Sequence, residues 1–104
     1  MEKNKLIFEK CMVKYGNEPF TGEFELKKGE NVLVGYVSKG ILKYEEEFFQ
    51  NKVLMKKKYD DCEKGYQTIY DTLGKILSEG NFLNGKKIGP WKTYISDSIY
   101  FSNY

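Results

Sequence analysis

The side chains of this sequence that could do chemistry are carboxylates, lysines and two cysteines, because histidine and arginine are both absent. Without histidine, the chain cannot build a Ser-His-Asp or Cys-His nucleophilic system or a histidine-ligated metal site. The acidic residues gather in two runs, Glu45–Glu47 and Asp60–Asp61. If these runs lie on neighbouring strands, their carboxylates could face each other across a hairpin.

Three interpretations of the acidic runs are open. Charge runs are most often solvated faces, and Lys56–Lys58 would neutralise such a face. An acidic patch could instead bind a basic partner surface, such as the active site of a nuclease. A pair of carboxylates could also hydrolyse a bond. No other sequence feature supports catalysis, so we predict a protein that is not an enzyme.

The cysteines predict thiols rather than a disulfide or a metal site. Cys11 and Cys62 lie far apart, and neither belongs to a Cys-x-x-Cys motif. Two cysteines without histidine do not complete a structural zinc site unless carboxylates join them. We therefore expect neither a metal nor another cofactor.

The N-terminal sequence predicts a cytoplasmic protein. Its apolar run, Leu6–Phe8, is far too short for the core of a signal peptide. No stretch of the chain approaches the roughly 18 apolar residues that a membrane-spanning helix needs. A reducing compartment would keep both cysteines as thiols.

The balance of charge argues against nucleic acid as a partner. Seventeen lysines and 15 acidic residues leave a net charge of +2, and no arginine is present for phosphate contacts. The best cluster for single-stranded nucleic acid is Lys52, Lys56–Lys58 and Tyr59, since aromatic rings stack on bases. Trp91 and Tyr94 resemble a core ladder, although exposed rings of these types would be hot spots for a protein partner.

Turn-forming residues recur with a regular spacing that predicts short strands. From Gly29 onward the steps between them are 11 or 12 residues. Glycine and asparagine tolerate the positive φ angles that tight hairpin turns require. Alanine is absent while Tyr, Phe, Ile, Val and Thr are common, which favours sheet. Helix competes only over Lys5–Lys14 and Lys43–Lys58, and the second segment matches the strand pattern in register.

The segments between turns resemble one another. Gly29–Gly40 and Gly74–Gly85 each begin and end with glycine, and each has a further glycine in the middle, Gly35 or Gly80. A third copy has Lys57 at the middle position. The repeat is about 22–23 residues long, and each unit is a strand-turn-strand. Glycine within a strand marks a bulge or a close approach of backbone, and we interpret Gly35 and Gly80 as positions that let the sheet curve.

These observations predict one all-β domain over residues 1–104. We expect a single-layer antiparallel meander of repeated β-hairpins with about eight or nine strands, because one strand-turn-strand unit cannot bury its own apolar residues. An N-terminal strand is expected over residues 5–15, and the repeats over residues 18–40, 41–64, 65–89 and 90–104.

The last third of the chain resembles the MORN-variant repeat. Residues Gly65–Tyr94 contain an aromatic pattern, Gly74-Lys75, then a Gly-x-Phe-x-Asn-Gly-Lys turn, then Gly-x-Trp ending at Trp91. Pro19–Gly22 resembles the usual opening of the first repeat. The match is specific over residues 65–94, moderate over 19–40 and poor over 41–64. There, Lys57 and Cys62 occupy positions where glycine is expected.

This resemblance implies a twisted or curved antiparallel sheet and a binding function. Many small bacterial members of the family resemble antitoxins or immunity proteins, which silence a cognate toxin. Other members are linked to membranes and scaffolds. The repeat itself carries no catalytic residues, so its fold does not determine a function.

We therefore expect a non-enzymatic inhibitor that occludes a protein partner, namely a toxin with nuclease or deaminase activity. One alternative is a phage-encoded inhibitor of a host defence nuclease, and another is a membrane- or protein-binding scaffold module. The sequence argues against a membrane partner and leaves the oligomeric state open. The residues expected to bind the partner are Glu45, Glu46, Glu47, Lys57, Tyr59, Asp60, Asp61, Trp91 and Tyr94.

Overall fold

A computed structural model describes residues 6–9, 12–61 and 63–104, and within these residues the chain is all-β without a helix. Cys11 and Cys62 lie outside the described residues. The main sheet has eight antiparallel strands in sequence order, so it is a simple meander. A smaller sheet of three short strands precedes it. The strands are β1 (Ile7–Glu9), β2 (Met12–Tyr15), β3 (Glu18–Pro19), β4 (Gly22–Lys28), β5 (Asn31–Ser38), β6 (Ile41–Phe49), β7 (Lys52–Tyr59), β8 (Lys64–Tyr70), β9 (Ile76–Leu83), β10 (Lys86–Ile95) and β11 (Ser98–Asn103).

The predicted fold class is confirmed, and the main sheet has the lower of the two expected strand numbers. Within residues 5–15, where the sequence predicts one N-terminal strand, the described residues form the two short strands β1 and β2. No helix in the described part of the chain is long and apolar enough to cross a membrane.

The predicted turn residues adopt the backbone angles that tight hairpins require. Gly29, Gly40 and Gly85 have φ angles of 65°, 81° and 79°. Asn51 serves the same purpose without being glycine, with a φ of 64°, and Gln50 before it has a φ of 48°. Positive φ at both central residues is the signature of a type I′ turn, whose twist matches that of the paired strands.

The two mid-strand glycines are covered by aromatic rings, whereas the sequence predicts a bulge or a close approach of backbone there. A Cβ atom built on Gly80 would lie 2.5 Å from the indole of Trp91, and a Cβ on Gly35 would overlap the ring of Phe24. Each ring therefore packs against the glycine backbone, in the space that the Cβ atom of any other residue would occupy. At the matching position of the central repeat, Lys57 lacks such a cover and instead reaches over Phe82, 5.3 Å from the ring centroid.

Two small cores form on the same face of the main sheet. At the N-terminal end, the short sheet covers Phe24, so Leu6, Val13, Phe24 and Val37 form a buried cluster. Backbone bonds join the two sheets there, with Val13 N–H donating to Gly40 O at 2.7 Å. At the C-terminal end, Phe82 and Trp91 are buried. We call this side the core face and the other side the open face.

Candidate functional site

The strand register splits the acidic run between the two faces of the sheet. Glu45 lies opposite Lys57, and Glu46 lies opposite Lys56. Because side chains alternate along a strand, Glu45 and Glu47 point to the core face while Glu46 points to the open face. The arrangement in which Glu45–Glu47 could face Asp60–Asp61 does not occur, because the register places Lys57, Lys56 and Met55 opposite these acids.

The acids of the core face have partners within the sheet. The hydroxyl of Tyr59 donates to Glu45 Oε1 at 2.7 Å, and Asn31 Nδ2 donates to Glu47 Oε2 at 2.8 Å. Lys28 Nζ lies 3.7 Å from the other Glu47 oxygen. Burial and the Glu45 carboxylate together raise the pKa of Tyr59 well above its ordinary value, so its hydroxyl stays a donor. These contacts give Glu45, Glu47 and Tyr59 a structural role.

The remaining predicted site residues lie at three separate places. Asp60 and Asp61 are exposed in the turn between β7 and β8, where their backbone N–H groups donate to Lys64 O. Trp91 is 1% exposed, and its indole N–H donates to Asn81 O at 2.7 Å. Trp91 is therefore a core residue, and a partner cannot contact its ring in this structure. Tyr94 is half-buried on the open face.

Tyr94 shares a carboxylate with a second tyrosine on the open face. The hydroxyls of Tyr66 and Tyr94 donate to the two oxygens of Glu79, each at 2.6 Å. These hydrogen bonds lower the pKa of Glu79 because they stabilise its charged form. Burial, first, and the Glu79 carboxylate together raise the pKa of Tyr66 to about 12. The arrangement joins β8, β9 and β10 and fixes both rings.

A groove crosses the open face beside Tyr66. Its volume is about 560 Å³. One row of paired residues crosses the sheet in the order Tyr36, Tyr44, Lys58 and Tyr66, and the last three line the groove. The rings of Tyr36 and Tyr44 are stacked, with centroids 5.9 Å apart and planes 19° apart. Tyr44 and Lys58 are not among the sequence-predicted site residues, although alternation along β6 and β7 places them on one face.

The C-terminal edge of the main sheet is exposed and apolar. All six residues of β11 are exposed. Ile99, Tyr100 and Phe101 are 52%, 54% and 65% exposed. Within the described chain, β11 pairs only with β10, so the hydrogen-bonding groups on its outer side have no strand partner. The sequence signal for this edge is the uncharged run from Ser98 to Tyr104.

The two edges of the main sheet differ in their protection. The β4 edge carries Glu23, Glu25, Lys27 and Lys28, and charges of this kind discourage pairing with another strand. The small sheet of β1–β3 also packs near the start of β4, where Phe20 lies against the N-terminal core. The β11 edge has no lysine, no proline and no covering element among the described residues. Of the two edges, the β11 edge is therefore the one suited to pairing with a further strand.

No protein-family model matches this sequence, and no curated protein matches it. Solved structures do share its fold. The S. aureus TarM G117R mutant, solved in complex with fondaparinux, alpha-GlcNAc-glycerol and UDP, matches with a TM-score of 0.60 and 19% identity. That match covers 92% of this chain and 21% of the TarM chain. A second crystal structure of TarM matches with a TM-score of 0.59 and 16% identity, over the same fractions of both chains.

These likenesses define the class of fold and leave the function open. At such identities the shared property is the hairpin meander itself. The chain spans about a fifth of the length of the TarM chain that it matches. The resemblance to the MORN-variant repeat therefore remains a prediction from the sequence.

Proposed function

We propose that this domain is a non-enzymatic protein-binding module whose C-terminal edge strand pairs with a strand of a partner protein. The observation that carries the proposal is β11, a bare edge whose six residues are all exposed. Contiguous exposed apolar surface marks interaction sites in proteins. Addition of a strand to an open edge supplies main-chain hydrogen bonds, and the alternate side chains supply specificity.

The side chains of the edge suit such a partner on both faces. Ile99 and Phe101 lie on the open face beside Tyr94, which pairs with Ile99 across the ladder. Tyr100 lies on the core face opposite Thr93. A partner strand would therefore meet an aromatic or branched side chain on each side of the sheet. Tyr94, which the sequence predicts as a binding residue, lies at the border of this surface.

The finer proposal is that the partner is a toxin with nuclease or deaminase activity, silenced by occlusion in the cytoplasm of a bacterium. Its support is the sequence resemblance to MORN-variant antitoxins together with the absence of histidine chemistry. A phage-encoded inhibitor of a host defence nuclease would use the same edge. A scaffold module would also use it, but the captured partner would keep its activity.

The test is affinity capture from the source cells with an N-terminally tagged chain, followed by mass spectrometry. We expect the wild type to capture one protein in stoichiometric amount and Phe101→Lys to lose it, because a charge at the centre of β11 opposes apolar packing. Leu73→Lys is the matched control, since Leu73 is also apolar and is 80% exposed in a turn away from this edge.

An activity assay on the captured protein then distinguishes an inhibitor from a scaffold. Added wild-type chain should abolish nuclease or deaminase activity of the purified partner, and Phe101→Lys should leave that activity intact. Equal capture by wild type and Phe101→Lys would refute the edge as the binding site. A partner whose activity is unchanged by bound chain would refute inhibition and favour the scaffold. Flotation of the chain with anionic liposomes would favour a membrane scaffold instead.

A further inference from the structure

We propose that the groove on the open face binds a short segment of single-stranded nucleic acid, with bases on Tyr44 and Tyr66 and phosphates on the lysines between and beside them. This site is separate from the β11 edge and does not depend on the proposed function. Among the residues that line the groove, those that would contact the nucleic acid are Lys43, Tyr44, Lys56, Lys58 and Tyr66.

The register of the sheet brings these residues together from three strands. Tyr44 lies opposite Lys58, and Lys58 lies opposite Tyr66, so one lysine stands between two tyrosines. A bulge in β6 leaves Lys43 without a register partner on β5 and places it beside Tyr44 at the groove. Tyr44 and Tyr66 are two strand spacings apart, about 10 Å. Each ring can therefore take a different base.

Both rings are held in place by partners outside the groove. Tyr44 stacks on Tyr36, whose ring covers one side of it. Tyr66 donates its hydroxyl to Glu79 at 2.6 Å, while the residue remains 36% exposed. Rings fixed in this way lose little conformational entropy when a base stacks on them. Stacking platforms of this kind accept any base, because every base has a π-face.

The charge of the groove is suited to phosphate. Lys43, Lys56 and Lys58 are all exposed, and none of them forms an ion pair with another described residue. Lys57 also lines the groove, as do Glu45 and Glu46, and Glu79 lies beside Tyr66, so the lysines exceed the carboxylates here by one.

The same geometry argues for a single strand over a duplex. In a duplex the faces of the bases are stacked on one another, so the tyrosine rings would find no free base. The three lysines alone are too few for strong binding to a phosphate backbone, where affinity follows the number of neutralised phosphates. Stacking must therefore supply much of the affinity, which only exposed bases allow.

Fluorescence anisotropy with a labelled oligo(dT) of about six nucleotides tests the proposal on the full chain. Lys58→Ala should weaken binding by about tenfold, and Tyr66→Leu by a similar factor, as loss of one stacked base predicts. The matched control is Lys86→Ala, which removes the same charge from an exposed position on β10 that does not line the groove. Circular dichroism confirms that each variant keeps its sheet.

The salt dependence of binding and competition by other nucleic acids test the proposal further. With three lysines in contact, the slope of log K against log salt concentration should be about −2. A duplex of equal length should not compete. The proposal is overturned if wild type does not bind oligo(dT), if duplex competes equally well, or if Lys86→Ala weakens binding as much as Lys58→Ala. Equal affinity for free thymidine monophosphate would also overturn it, because a strand must occupy both rings.

Discussion

At the scale of single residues, glycines and aromatic rings act as pairs. Gly80 leaves its backbone bare, and the indole of Trp91 occupies the space that a side chain would need. Gly35 and Phe24 form an equivalent pair at the other end of the sheet. In both pairs, a glycine on one strand accepts a ring from an adjacent strand, the preceding strand for Gly35 and the following strand for Gly80.

Gly80→Ala should lower the free energy of unfolding by about 1–3 kcal/mol, the cost expected when a well-packed core is overfilled. The added Cβ would lie 2.5 Å from the Trp91 ring, which has little room to move because it is 1% exposed. Urea denaturation followed by fluorescence of the single tryptophan measures the change. Ser78→Ala, two positions earlier on the same face, is the control and should alter stability much less.

Glu79→Gln should change the pH dependence of stability. Because the Tyr66 and Tyr94 hydroxyls lower the pKa of Glu79 in the folded state, its contribution is present above the unfolded value near 4.5. It is lost as the pH falls through the folded pKa. The stability difference between wild type and Glu79→Gln should therefore shrink in acid. A difference that stays constant from pH 7 to pH 3 would contradict this account.

The same cluster predicts the response to alkali. Tyr66 has a folded pKa of about 12 against an ordinary value of 10, so its contribution to stability is complete below pH 10. That contribution is lost as the pH rises towards 12. Ultraviolet titration should show ionisation of this tyrosine only at the alkaline end. In Glu79→Gln, where the carboxylate is gone, Tyr66 should ionise at lower pH.

At the scale of elements, the turns set the register of the hairpins. The turn of Lys39 and Gly40 and the turn of Asn84 and Gly85 have positive φ at both central residues, with glycine second. The Gln50–Asn51 turn has the same conformation without glycine. Asparagine is the residue that best tolerates this region after glycine.

Asn51→Ala should lower the free energy of unfolding by about 1 kcal/mol, because a left-handed conformation brings the alanine Cβ too close to the following carbonyl oxygen. Asn51→Gly should leave stability unchanged or raise it. Thermal unfolding of both variants measures these effects under one set of conditions. If alanine and glycine gave the same melting temperature, the turn would not impose positive φ on residue 51 in solution.

At the scale of the whole molecule, the chain is a thin sheet with two small cores. Its principal extents are 49 × 30 × 18 Å, so no second layer covers most of either face. The N-terminal core lies under β1–β3, and the C-terminal core gathers around Trp91. Between them the core face carries polar residues such as Glu45 and Lys57. Each part of the sheet therefore depends mainly on its neighbours in sequence, as in other repeat folds.

Hydrogen exchange should reveal this graded stability. Amides that join β5 to β6 lie next to the N-terminal core and should exchange most slowly. Amides that join β11 to β10 should exchange faster, because every residue of β11 is exposed. Mass spectrometry of peptides after deuterium labelling measures the difference. Uniform protection across all eight strands would instead indicate a single cooperative unit.

The sequence by itself determined the class of fold. Gly29, Gly40 and Gly85 mark turns because few other residues adopt positive φ, and this is a local property. Gly35 and Gly80 were recognisable as structural positions within strands, although the rings that cover them were not. Histidine chemistry was excluded by composition alone.

Only the tertiary structure decided which candidate residues share a face. A run such as Glu45–Glu47 is contiguous in sequence, but alternation sends neighbours to opposite sides of a single-layer sheet. The turn at Gln50–Asn51 pairs Phe49 with Lys52, so Glu45 and Glu46 lie opposite lysines and the aspartates lie beyond the paired residues. The edge at β11 and the groove beside Tyr44 arise from strand order and register, which are long-range properties that no short motif encodes.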